Sequence, residues 1–208
     1  MKPLPNSIGW PFLNNQEQLP KIILASVSPR RRNLLKQIGV KFDVIPSSIK
    51  EDSSLKLSAQ KFVEFYAKEK AKNVSKKYPH SLVIGADTVV VFNELILGKP
   101  GSFDEACTML STLSGNTHSV YTGVSLQLSN KSISHTFHAQ TKVTFNNLRN
   151  KEIEFYIEHY KPYDKAGSYG IQDWFSVCVE KIDGCYFNVM GLPLNKLYTE
   201  LKSVMQTN

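Results

Sequence analysis

An α/β fold, a mixed and twisted sheet flanked by helices, is what the sequence predicts, and three observations carry the prediction. Short apolar runs such as "KIILAS" and "SLVIGADTVVVF" have the length and β-branched content of buried strands. Between and after them lie segments with helical periodicity, bounded by capping residues. The two kinds of segment mix without strict alternation, which points to a mixed sheet rather than a purely parallel one. Hydrophobic content of 41% and charged content of 21% exclude wholesale disorder, and 208 residues are ample for a sizeable core.

The first 20 residues, "MKPLPNSIGWPFLNNQEQLP", read as an irregular arm with Trp10, Pro11 and Phe12 as candidates to pin it to the body. Prolines and polar residues interrupt the apolar core that a signal peptide needs, and nothing approaches the ~20 apolar residues of a membrane span. Residues 21–208 then read as one domain. "KIILAS" is its first strand. Ser28 as N-cap and Pro29 at the first helical position open a helix whose apolar side is Leu34, Leu35 and Ile38 and whose stop is Gly39. "FDVIP" is a second strand, followed by the polar loop "SSIKEDSSLKLS" and a helix from about Ser58 to Lys77. "SLVIGADTVVVF" is a long strand that "NE" turns into "LILGKP". Ser102 and Glu105 form a capping-box start, and Gly115 stops that helix. Two strands, "HSVYTGVSLQL" and "HTFHAQTKVTF", precede a helix opened by Asn150. After Pro162 come the loop "YDKAGSYGIQ", a hairpin turned by Asp183-Gly184, and a last helix from about Pro193.

Some residues break this pattern. The net charge of +7 is concentrated in the first half: six Lys or Arg and no acid lie between Lys21 and Lys41. Arg30, Arg31 and Arg32 crowd a helix start, where the dipole disfavours cations by a few tenths of a kcal/mol each, up to ~1. A bound anion explains them, since free N–H donors there suit a phosphate, and a solvated basic patch explains them equally well. Asp87 lies inside an apolar strand, where an ionised carboxylate needs a metal, a cation or a function; a strand-end Asp bonded to backbone is the bland reading. On the Ser58–Lys77 helix, Lys70 falls within the stripe Phe62, Val63, Tyr66, Ala67 and Val74, whereas Lys61, Lys68 and Lys72 point away. An inward lysine either reaches an anion or snorkels to the edge. Lys99 and Lys165 sit in glycine-bearing turns, where backbone approaches a ligand closely. With Arg31 they would supply several cations around one carboxylate, as a metal-bound polyphosphate requires. No G-x-x-x-x-G-K-[ST], G-x-G-x-x-G, H-E-x-x-H or G-x-S-x-G motif occurs, and the five histidines are dispersed. Cys107, Cys178 and Cys185 form no C-x-x-C pair, so neither zinc site nor disulfide framework is indicated and a reducing cytoplasm is expected.

"LASVSPRRRNLL", "IGADTVVV", "LGKP", "YDKAGSYGIQ" and "NVMGLPL" occur in an order that resembles the Maf (septum formation inhibitor) family of nucleoside triphosphate pyrophosphatases, over about Lys21 to Leu201. The resemblance implies a Maf/ITPase-like fold of two lobes around a deep cleft, a homodimer, and cleavage between the α and β phosphates with Mg²⁺ or Mn²⁺. It implies that Asp87 is the proton acceptor, that Ser26 and Arg31 hold phosphate, and that Glu51, Lys70, Lys99 and Lys165 are polar residues of the cleft. Glu51 and Asp87 would hold the metal, and Lys70, Lys99 and Lys165 would stabilise the departing pyrophosphate. Arg30, Thr88 and Gln172 match positions linked to base choice. "AGSYGIQ" resembles the branch acting on dTTP and UTP, whereas the branch acting on 7-methyl-GTP differs after "KAG". Where the family has two acids, "IKED" has Lys50 and then Glu51. Asp173 and Trp174 follow the Ile-Gln pair, and Cys185 and Phe187 stand where small polar residues are common.

Two other function classes compete. A nucleic-acid-binding module would use the basic first half and the nine Tyr and eleven Phe, but most of those rings fall on faces that a core claims, and an inward Asp87 repels a phosphate backbone. A regulatory protein that binds a nucleotide without hydrolysis would keep the cleft and need no metal. The expected partner is therefore a nucleoside triphosphate, with no stable nucleic acid and no membrane.

Overall fold

The computed structural model describes residues 20–52 and 55–206, so Trp10, Pro11, Phe12 and the arm assigned to them lie outside the described residues. β1 (Ile22–Leu24), α1 (Pro29–Gln37), β2 (Phe42–Val44), α2 (Ala59–Ser75) and β3 (Leu82–Phe92) form two successive crossovers, and β1 lies parallel between β2 and β3. Asn93 and Glu94 both take left-handed angles, φ 47° and 65°, and fold β3 back on β4 (Leu95–Leu97) as a two-residue hairpin. α3 (Phe103–Leu113), β5 (Thr117–Leu128), β6 (Ile133–Phe145), α4 (Asn150–Tyr160), β7 (Val179–Asp183), α5 (Tyr186–Val189) and α6 (Leu194–Gln206) complete the chain. The seven strands make one mixed sheet in the order β2-β1-β3-β5-β6-β7, with β4 attached to β3.

The helix starts follow local chemistry. Ser28, Ser58 and Ser102 each accept the backbone N–H three residues on, at 3.5, 3.5 and 3.2 Å. Glu105 adds a bond from the N–H of Gly101, at 2.7 Å. α4 opens differently: Glu152 in its first turn accepts the N–H of Arg149, at 2.8 Å. One turn departs from expectation. Asp183-Gly184 does not turn a hairpin, because Thr141 Oγ1 accepts the N–H of Cys185 and donates to its carbonyl, at 3.0 and 3.1 Å, and the chain leaves β7 directly into α5.

Two glycines let α2 lie directly on the sheet. A methyl group added at Gly85 would stand 2.3 Å from the carbonyl oxygen of Ala67, and one at Gly123 would stand 2.3 Å from that of Val63. Gly123 is paired across the ladder with Asp87, so the close approach sits where the strand carries its carboxylate. On this face Ala71, Val74 and Phe62 of α2 pack on Val83 and Val89. On the opposite face α1 and α6 bury Leu34, Leu35, Leu197 and Leu201 against Leu24, Leu82 and Ile84. Further along the sheet α3 and α4 cover Val120, Val143 and Phe145, with Tyr169 and Phe175 from the loop after α4. The two largest cores, one under α1 and α6 and one under α3 and α4, are separate and mark two lobes along the sheet, with two smaller clusters under α2. No helix among the described residues is long and apolar enough to cross a membrane.

Candidate active site

A gap in the sheet makes the cleft. β1 accompanies β3 only as far as Leu24 opposite Ile84, and β4 joins the same edge only at Leu97 opposite Val90. Over residues 85–89 this edge has no strand partner, while the other edge remains paired to β5. A cavity of about 310 Å³ opens there, beyond the carboxyl end of β1, where open α/β sheets place their ligand sites. Alternation along β3 puts Asp87 on the α2 face and Thr88 on the α1 face. At the open edge both reach the same space. Ser26, Arg30, Arg31, Glu51, Lys70, Asp87, Thr88, Lys99, Lys165 and Gln172 all line it, so the ten residues expected to form the site converge there, whereas Arg32 does not line it.

Lys70 comes in from the buried stripe of α2, its side chain 12% exposed. Its Nζ donates to Glu51 Oε1 at 2.5 Å and to Asp87 Oδ1 at 2.7 Å. Lys61, Lys68 and Lys72 are exposed. Asp87 is 3% exposed, and its second oxygen, Oδ2, is buried with no hydrogen-bond partner. Burial, opposed by Lys70 and reinforced by the like charge of Glu51, raises Asp87 above the ordinary aspartate range. Burial also opposes ionisation of Glu51, but attraction to Lys70 and their hydrogen bond hold it below its ordinary value. An orphaned buried carboxylate oxygen beside a second carboxylate is a donor set that fits a hard divalent cation. No third His, Cys, Asp or Glu joins them in a metal-binding group among the described residues.

On the other wall the guanidinium of Arg31 is held at three points. Nε donates to the Gly191 carbonyl at 2.8 Å, Nη1 to Ser26 Oγ at 3.2 Å and Nη2 to Thr88 Oγ1 at 2.9 Å. One N–H on each terminal nitrogen is left over for an anion. Ser26 Oγ also accepts the N–H of Ser28, at 3.2 Å, so its own proton is the part that remains to be given. Lys99 and Gln172 are exposed and make no hydrogen bond among the described residues.

Asp164 is a cleft residue that the sequence reading missed. Its carboxylate accepts from Arg30 Nη1 at 2.6 Å and from Lys165 Nζ at 2.7 Å, and its carbonyl accepts from Arg30 Nη2 at 3.2 Å. It thus ties the start of α1 to the loop after α4, across the mouth of the cleft. The residues that depart from the family pattern turn elsewhere. Asp173 accepts from Tyr156 Oη and from the N–H of Phe175, both at 3.1 Å, and Trp174 stacks on Tyr156 and Tyr160. Neither lines the cavity. Phe187 packs on the core under α6. Behind cleft-lining Tyr169, His118 shares a 2.8 Å hydrogen bond with the phenol and is 2% exposed; burial lowers it to about 4.

A family model described as Maf-like protein matches residues 21–204. Relatives named dTTP/UTP pyrophosphatase include one from Carboxydothermus hydrogenoformans, 46% identical over 88% of this chain and 97% of its own. Those from Bacillus cereus and Bacillus pumilus are 45% and 46% identical, over 89% and 88% of this chain and 91% and 96% of theirs. Among solved structures, a HAM1 protein from Coxiella burnetii matches with a TM-score of 0.44 and 14% identity, over 91% of this chain and all of that one. With the family model spanning nearly all of the chain and these relatives aligned almost end to end, the chain belongs to the Maf family.

Proposed function

We propose that this protein is a nucleoside triphosphate pyrophosphatase that hydrolyses dTTP and UTP to the monophosphate and pyrophosphate. The observation that carries the reading is the buried Asp87 carboxylate, one oxygen unpartnered, facing Arg31, Lys99 and Lys165 in one cleft. The relatives named dTTP/UTP pyrophosphatase support the substrate. Glu51 and Asp87 are the residues that would hold a divalent cation, Mg²⁺ or Mn²⁺, and such a cation would neutralise phosphate charge and draw electron density from the attacked phosphorus.

Asp87, raised by burial, accepts a proton from the attacking water. Lys70 keeps that carboxylate and Glu51 at a fixed spacing. Arg31 presents its two remaining N–H groups to phosphate oxygens, Ser26 adds its proton, and Lys99 and Lys165 oppose the charge that grows on the departing pyrophosphate. The base end is read by Gln172, whose amide offers a donor and an acceptor side by side to the carbonyl and N–H of uracil or thymine, with Arg30 and Thr88 nearby. A homodimer in the cytoplasm completes the reading, on the family resemblance alone.

The test is release of pyrophosphate from UTP, dTTP, CTP, GTP and 7-methyl-GTP with Mg²⁺. UTP and dTTP should have the highest kcat/KM. Gln172→Ala should narrow the gap between bases more than it slows the best substrate, because the amide that pairs with uracil or thymine and not with a mismatched base is then gone. A best substrate among the purines would sink the dTTP/UTP assignment, and no pyrophosphate from any of them would sink the reaction.

A further inference from the structure

Arg31 is held by a chain of hydrogen bonds whose direction is fixed by chemistry. A guanidinium only donates, so Nη2 gives a proton to Thr88 Oγ1, at 2.9 Å. A backbone carbonyl only accepts, so Thr122 Oγ1 gives its single proton to the oxygen of Asn188, at 2.9 Å. The 3.0 Å bond between the two hydroxyls can then run one way, from Thr88 to Thr122. The two threonines are direct partners across the β3–β5 ladder. Asn188 is fixed in turn, with Nδ2 donating to the Val120 carbonyl and to Thr141 Oγ1, both at 3.0 Å. Thr122 and Asn188 are completely buried, and neither lines the cleft. Three residues past Asn188, the Gly191 carbonyl takes Arg31 Nε. One short segment therefore grips the guanidinium twice, once directly and once through two threonines.

We propose that Thr122 is a positioning residue for Arg31, acting through Thr88, and that it sets the rate of phosphate cleavage without touching the nucleotide. The proposal rests on the pyrophosphatase reading for its kinetic consequence. A loosened guanidinium keeps its charge and still attracts a triphosphate, but it no longer waits in the geometry of the transition state. A loss in kcat with little change in KM follows, and of the same kind for UTP and dTTP, since both present the same phosphates to Arg31. Thr88 has given its proton to Thr122 and can only accept from a ligand.

Thr122→Val keeps the shape and removes both bonds; Thr122→Ser restores them. In Thr122→Val, kcat should fall about 10- to 100-fold while KM shifts less than about threefold, and Thr122→Ser should stay near the parent. Thr88→Val should cost a similar factor, and the Thr88→Val/Thr122→Val double variant should be no slower than the worse single, because both cut one chain. Losses that multiply, or a change confined to KM, would overturn the proposal. The Arg31 Nε–H resonance, assigned by its disappearance in Arg31→Lys, gives a readout independent of turnover. It should shift and exchange faster with water in Thr122→Val but not in Thr122→Ser. An unmoved resonance overturns the proposal even if no nucleotide is cleaved, an outcome that would sink the proposed function separately. If Thr122→Val fails to fold, Thr122→Cys, a weaker donor in the same space, should give a smaller loss of the same kind, and parent-like kinetics and resonance there would equally overturn it.

Discussion

Asp87 and Lys70 lie 2.7 Å apart, yet burial keeps the carboxyl above its ordinary range, as suits a group that must take up a proton. Asp87→Asn keeps an acceptor for Lys70 and the same volume, so the fold should survive while turnover falls by at least ~100-fold, the lower range for general-base work. Retention of more than about a tenth of the activity would move the role to Glu51. Lys70→Ala should be comparably damaging, because it leaves two carboxylates facing each other, whereas Lys68→Ala and Lys72→Ala, on the exposed side of α2, should be nearly silent. Parallel kcat/KM for the three variants decides this. His118 carries a stability prediction. Burial lowers it to about 4 from an ordinary 6.5, so the unfolded chain binds the extra proton first as the solution is acidified. Its contribution is complete above pH 6.5 and is lost between there and about pH 4, to a total on the order of 3 kcal/mol. His118→Gln lacks the titration, so its melting temperature should fall less than the parent's between pH 7 and pH 5; equal acid limbs would remove His118 from the account.

Elements meet at the site because Gly85 and Gly123 let α2 approach the sheet. Gly123→Ala puts a methyl group 2.3 Å from the Val63 carbonyl, a backbone atom that cannot swing away. The helix must lift, at a cost of about 3 kcal/mol or more, and Lys70 must lift with it. Reduced denaturant stability together with reduced kcat is the expected pair, and a fully active, fully stable Gly123→Ala would show that α2 is not seated as described. The sequence displayed these elements wherever the signal was local. Serine caps, apolar runs and the Asn93-Glu94 turn are each decided within a few residues, and Lys70 stood out because its helical stripe is otherwise apolar. Asp87 stood out for the same reason on a strand. Contacts between distant segments left no such mark. Arg30 and Asp164 are 134 residues apart, and nothing beside Asp164 reveals that it closes the cleft mouth. Asp183-Gly184 has the composition of a hairpin turn, but Thr141, brought alongside by the β6–β7 ladder, holds Cys185 and diverts the chain. Thr122 looked like one more strand residue, since only the ladder register sets it opposite Thr88.

At the scale of the whole molecule, charge is distributed to favour one class of ligand. The chain carries +7, and the cavity lies between lobes that present Arg30, Arg31, Lys99 and Lys165 to its interior, with the acidic pair Glu51 and Asp87 set behind them on the α2 face. A cleft with cations at its walls between low-dielectric lobes concentrates the field and raises the local concentration of a polyanion. That field acts over distances comparable to the Debye length, about 10 Å at 0.1 M salt and about 3 Å at 1 M. The chemistry itself runs on direct, partly buried contacts, Lys70 to Asp87 at 2.7 Å and Arg31 to Thr88 at 2.9 Å, which salt screens less. The two parts of the rate should separate accordingly. Raising KCl from ~0.05 to ~0.5 M at constant free Mg²⁺ should lower kcat/KM for UTP several-fold, while kcat changes by less than about a factor of two. Lys99→Gln, which removes an exposed cation at the cleft wall, should flatten that salt dependence as well as lowering kcat/KM. Steady-state kinetics at four or five salt concentrations measures both slopes. A kcat/KM indifferent to salt in the parent would mean that the cations act only on the bound phosphates and that the positive balance of the chain has no part in capture.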